Sequence, residues 1–138
     1  MLAAIILIIL DFIYISFIKT VFTNQIQKIQ GSKVTINWVG IILCYVFIIA
    51  SLHYFILWPK KSVLDAFILG FLTYGIYEIT NYALFKEWPF NIVVLNTLWG
   101  GILFALTTYI CKGYLYKTML HHPTYEFQIS CFIILKTT

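Results

Sequence analysis

Four apolar stretches of membrane-spanning length follow one another along this chain, and nothing else in it restricts the fold so strongly. A helix needs about 20 mostly apolar residues to cross roughly 30 Å of hydrocarbon. The stretches cover about 2–22, 36–57, 63–85 and 90–111. The charge content agrees with them. Only 10% of the 138 residues are Asp, Glu, Lys or Arg, and 62% are apolar. A soluble domain carries about 25% charged residues, so these charges cannot coat a water-soluble globule. A soluble enzyme, a disordered tail and a nucleic-acid module are excluded. The net charge of +4 comes from scattered lysines without arginine, which is no nucleic-acid footprint. The lipid bilayer is the partner that this composition demands.

The connections are short, which makes sequence neighbours antiparallel. The expected fold class is therefore all-α, an integral membrane four-helix up-down bundle over residues 1–112. Trp58-Pro59 and Trp88-Pro89 read as interfacial turns, because Pro cannot continue the preceding helix and Trp favours the headgroup level. The first stretch lacks a basic leader and an A-x-A cleavage site and has Asp11 in its middle, so it is expected to stay as a mature helix. Phe22, Ile26 and Ile29 follow it at helical spacing. They predict two more turns along the interface, ending at Gly31. Residues 113–138 are expected to form a short non-spanning tail, since QISCFIIL is about half the length of a span. The lysines divide nearly evenly between the two membrane faces, which leaves the orientation undecided.

Cysteine and histidine carry little. Cys44, Cys111 and Cys131 are odd in number, with no C-x-x-C pair. His121-His122 beside a Pro reads as a solvated loop, and His53 as an interfacial or packed imidazole. Neither a metal site nor a cofactor is expected. No Ser-His, Cys-His or metal constellation shares one depth and there is no phosphate loop, so no catalytic residue is expected either.

The informative residues are the polar ones inside the spans. An ionisable group in hydrocarbon costs at least about 2.5–3.5 kcal/mol on insertion scales, so each needs a reason. Asp65 stands in the first turn of its helix, where the dipole favours a carboxylate, and can reach the interface. Asp11 and Glu78 have no such escape. Ala66, Gly70, Tyr74 and Glu78 succeed each other at four-residue steps, with Asn81 three further on. That spacing puts them on one helix face, beginning with small residues that allow close helix contact. The fourth span answers with Gly101 and Ala105, and with Asn96 and Trp99 nearby.

Depth can be compared at about 1.5 Å per residue. Glu78 and Asn96 lie roughly 9–10 Å from the same face, Tyr14 and Tyr45 about 12–14 Å, and Asp11 roughly 17 Å. Every span thus offers a polar group at a similar level. The candidate intramembrane cluster is Asp11, Tyr14, Tyr45, Tyr77, Glu78, Asn81, Asn96 and Trp99. It has two readings. One is a polar pocket for a proton, an ion or a small ligand, with Glu78 and Asp11 as its ionisable members. The other is a structural or interaction protein whose polar knot only fixes helix packing, with Glu78 donating to Asn96 or Tyr45. Four helices leave little room for a pore in one copy, so a pathway would need a homo-oligomer or a very small cargo.

The third and fourth spans read LDAFILGFLTYGIYEITNYALFKEWPFNIVVLNTLWGGIL. This resembles the predicted bacterial membrane proteins catalogued as domain of unknown function twenty-one seventy-seven. Their pattern is a Gly-rich approach to Y-D-x-T-N, a W-P turn, then D-x-x-W-G. The matching positions are Tyr77 to Asn81, Trp88-Pro89, and Asn96 to Gly100. An Asp followed by aromatics in the first span is matched by Asp11, Phe12 and Tyr14. The resemblance covers roughly residues 1–112 and implies a multi-pass membrane protein of unknown activity. Two positions depart from the pattern. Glu78 replaces an Asp, and Asn96 replaces another. The loss of one charge argues against a two-carboxylate cation site between the third and fourth spans.

Overall fold

The computed structural model describes residues 2–121, with side chains through 114. Four helices account for nearly all of it: α1 Leu2–Gln30, α2 Trp38–Leu52, α3 Val63–Leu84 and α4 Phe90–His121. All four are long and apolar enough to cross a membrane once α2 is counted through Leu57. The protein is an all-α, multi-pass integral membrane bundle, and no strand occurs among the described residues. Large apolar side chains on every helix, such as Phe17, Phe47 and Leu84, face outward, as a hydrocarbon solvent permits.

Each helix end has a local cause. Gly31 takes φ +65° after α1, a conformation that only glycine adopts without strain. Asn37 caps α2, its side chain accepting from Gly40 N at 3.1 Å. From His53 to Leu57 the helix widens into a π turn, in which Trp58 N donates to the His53 carbonyl at 2.9 Å. Ser62 and Asp65 form a capping box at the start of α3. Ser62 Oγ accepts from Asp65 N at 3.0 Å, and Asp65 Oδ2 accepts from Ser62 N at 2.9 Å. Two orphan helix donors are satisfied reciprocally, which gives Asp65 the positional role its place suggested.

The frame of the bundle is the α3–α4 hairpin. A Cβ on Gly70 would collide with the Gly100 carbonyl, and one on Gly100 with the Tyr74 ring. A Cβ on Gly101 would come within 2.7 Å of the Phe67 ring. The two backbones therefore touch where the small residues face each other. Helix α1 lies along α4, and α2 leans on α1. Leu52 and Ile56 near the end of α2 join Leu7, Ala66, Leu103 and Phe104 in the apolar core. Away from that end, α2 stands off from α3.

One boundary differs from the sequence reading. Helix α4 continues through His121, so the start of the expected tail is helical. The tail beyond it, with His122 and Cys131, lies outside the described residues. The extension of α1 ends at Gly31 as expected, and its apolar side chains have a partner. Ile26 and Ile29 turn toward Phe85 and Trp88, and Gln25 donates to the Glu87 carbonyl. The apolar stripe thus faces the α3–α4 turn. A straight helix of 29 residues is about 44 Å long, so its last turns reach past the hydrocarbon to that turn.

Candidate functional site

Glu78 is 1% exposed. Its position on the Gly70 face of α3 turns it toward α4, and both of its oxygens are occupied. Oε1 accepts from Asn96 Nδ2 at 2.7 Å, and Oε2 accepts from Trp88 Nε1 at 2.9 Å. Asn96 passes the bond on: its Oδ1 accepts from the Tyr14 hydroxyl at 2.6 Å. A carboxylate oxygen accepts, so the Asn96 amide must present nitrogen to Glu78 and oxygen to Tyr14. The expected bond between Glu78 and Asn96 is present, with Asn96 as the donor, whereas Tyr45 bonds to Asp11 and not to Glu78.

Asp11 is the second node. It is 6% exposed, and its Oδ1 accepts from Trp99 Nε1 at 3.0 Å. Its Oδ2 accepts from the Tyr45 hydroxyl at 2.7 Å. The two nodes are joined by stacking. The rings of Tyr14 and Trp99 lie 4.3 Å apart, only 9° from parallel. One connected system therefore runs through all four helices, from Tyr45 on α2 through Asp11 and Tyr14 on α1 to α4 and α3. Isolated carboxylates in hydrocarbon are costly, and each is compensated by two donors.

Of the eight candidate residues, six enter this system: Asp11, Tyr14, Tyr45, Glu78, Asn96 and Trp99. Tyr77 does not. It is 54% exposed, because one residue along a helix is about 100° around it and cannot share the Glu78 face. Asn81 shares that face but makes no side-chain bond, and its Nδ2 is buried without a partner. Trp88 is the functional neighbour that the sequence concealed. Trp58 is 71% exposed, as an interfacial Trp should be, whereas Trp88 is 6% exposed. The turn after α3 is tight, with Trp88 N donating to the Phe85 carbonyl at 3.1 Å. It folds the indole back under the bundle, edge-on to Phe22.

The two carboxylates differ in access. Glu78 is enclosed by α3, α4 and the Trp88 turn. Asp11 lies at the wall of a cleft of about 740 Å³ between α1, α2 and α3. Its sides are apolar residues such as Ile15, Ile41 and Ile48, with Cys44, Ser51, Thr73 and Tyr74 among them. The cleft exists because α2 meets α3 only near its end. It opens sideways, toward where lipid would be.

A family model described as a predicted membrane protein, DUF2177, matches residues 1–113. The chain belongs to DUF2177. That match covers every residue of the hydrogen-bonded system and the whole cleft. No curated protein and no solved structure matches the chain. The DUF2177 assignment thus agrees with the four-span architecture and leaves the chemistry to be argued from the site.

Proposed function

We propose that this DUF2177 protein binds a small apolar-tailed molecule from within the bilayer, in the cleft between α1, α2 and α3. The observation that carries this reading is the cleft of about 740 Å³ with Asp11 in its wall. Small-molecule sites are mostly apolar concavities of roughly 300–1,000 Å³ with a few placed polar groups. An intramembrane carboxylate is a functional-site hypothesis by default, and of the two carboxylates here Asp11 is the one that a ligand could reach.

The polar residues then divide their work. Glu78, Asn96, Trp88 and Tyr14 lock α3, α4 and α1 in register. Asp11, with Tyr45 and Trp99, furnishes the polar end of the cleft. A single copy suffices, since one chain supplies every wall.

Photolabelling tests the reading. Hexadecane bearing a diazirine is incorporated with the purified protein in nanodiscs, and labelled peptides are mapped. Label should concentrate on Cys44, Ile48 and Thr73, and Cys44→Phe, which fills the cleft, should reduce it several-fold. Label spread evenly over the outward faces of all four helices, unchanged in Cys44→Phe, would overturn the proposal.

A further inference from the structure

The hydrogen-bond balance of the cleft points to the chemistry of its ligand, on the reading that the cleft binds one. We propose that the occupant is a long-chain alcohol, anchored by its hydroxyl between Asp11 and Tyr74.

Three of the hydroxyl donors around the cleft are already committed. Tyr45 Oη donates to Asp11 Oδ2 at 2.7 Å, Ser51 Oγ to the Ile48 carbonyl at 2.8 Å, and Thr73 Oγ1 to the Leu69 carbonyl at 2.7 Å. Each of these oxygens retains acceptor capacity. Asp11 does too, since each of its two oxygens accepts a single bond and has a further lone pair. No basic side chain lines the cleft. A carboxylate or phosphate head brings only acceptors to a wall already rich in them, and matches it poorly. Two hydroxyls are exceptions: Tyr77, which is 54% exposed, and Tyr74, which is the more buried. Tyr74 lines the same cleft, its ring is packed against Gly100, and its hydroxyl has no hydrogen bond among the described residues. The cleft therefore offers two uncommitted hydroxyl donors, Tyr74 being the more buried, beside a surplus of acceptors. A head that both donates and accepts matches that set. An alcohol does so, donating to Asp11 and accepting from Tyr74. An ammonium donates only, which leaves the Tyr74 proton without an acceptor, and an ether accepts only, which leaves Asp11 without a further donor.

The apolar walls leave the tail no polar partner, which fits a saturated or isoprenoid chain equally. The hydroxyl supplies the selectivity, because a site built to hydrogen-bond a hydroxyl leaves its own polar groups unpaired when the ligand lacks one.

Competition against the photoactive hexadecane probe tests this. Hexadecanol, hexadecyl methyl ether, hexadecylamine and hexadecanoate are each titrated into labelled nanodiscs. Hexadecanol should displace the probe at about tenfold lower concentration than the other three, as one well-made hydrogen bond predicts. Tyr74→Phe should remove most of that advantage while the probe itself still labels the cleft. If Tyr74→Phe does not fold, the order of the four heads on the unaltered protein decides alone. Equal displacement by all four, or a lead by the amine or the carboxylate, overturns the alcohol assignment and leaves the cleft reading in place. Labelling that is spread over the surface and displaced by none of them overturns the cleft reading itself.

Discussion

Asn96 Nδ2 donates to Glu78 Oε1 at 2.7 Å, between side chains that are 18 positions apart in sequence and both almost fully buried. The bond crosses the α3–α4 hairpin one turn from Gly100 and two turns from Gly70, where the backbones touch. It matters because Asn96 is bonded on both sides, with a hydroxyl at its far end. A hydroxyl can donate or accept, so the relay can reverse once the acceptor at position 78 is replaced by a group that donates.

That reversibility predicts the behaviour of Glu78→Gln. The introduced amide can accept from Trp88 through its oxygen and donate through its nitrogen to a flipped Asn96. Asn96 then donates to Tyr14, whose hydroxyl turns to accept. Every polar group stays paired, so the change should cost less than about 1 kcal/mol. Glu78→Leu leaves Trp88 and Asn96 without their acceptor and should cost about 1–3 kcal/mol. Thermal melting in detergent distinguishes them; equal losses for both would show that the relay does not reverse.

Trp88→Phe isolates the indole N–H. The ring contacts with Phe22 and Phe85 are kept in kind, while Glu78 Oε2 loses its donor. A destabilisation of about 1–3 kcal/mol is expected. Trp58→Phe, at an outward-facing position, should stay within about 0.5 kcal/mol. Similar melting shifts for the two variants would contradict the inward role of Trp88.

These two tryptophans show how far sequence reasoning reaches. Both precede a proline between spans, and that pattern favours the interface for each. Only the tightness of the Phe85–Pro89 turn turns one indole inward, and turn geometry is not written in the dipeptide. The Glu78–Asn96 neighbourhood was readable, because helical rise fixes depth and antiparallel hairpins align equal depths. The face occupied by Tyr77 was readable too, had the 100° step from Glu78 been applied. The cleft was not readable. It depends on α2 meeting the rest of the bundle at Leu52 and Ile56 instead of along its length, and apolar composition does not distinguish a wall from a lipid-facing surface.

The glycine contacts predict opposite signs for one substitution. Gly70→Ala puts a methyl group into the Gly100 carbonyl, which no rotamer can avoid. The hairpin must open, at a cost of about 1–3 kcal/mol. Gly113 also lies within α4, but a Cβ there would meet nothing within 4 Å. Gly113→Ala should stabilise by up to about 1 kcal/mol through helix propensity alone. Unfolding in mixed micelles measures both, and a stabilising Gly70→Ala would show that the backbones do not touch.

The last prediction separates fold from ligand at Asp11. Its two donors are of different kinds. Trp99 Nε1 can only donate, whereas the Tyr45 hydroxyl can reverse. In Asp11→Asn the amide oxygen can face Trp99 and the nitrogen can face Tyr45, so the fold should survive within about 1 kcal/mol. The same rotamer turns a donor toward part of the cleft that was previously acceptor. Hexadecanol should therefore lose its lead over hexadecyl methyl ether in displacing the photoactive probe, while the labelled positions stay the same. Asp11→Leu should instead leave Trp99 and Tyr45 unpaired in the core and lower the melting temperature. If Asp11→Asn changes neither stability nor the order of displacement, Asp11 does not serve as the anchor of a bound head.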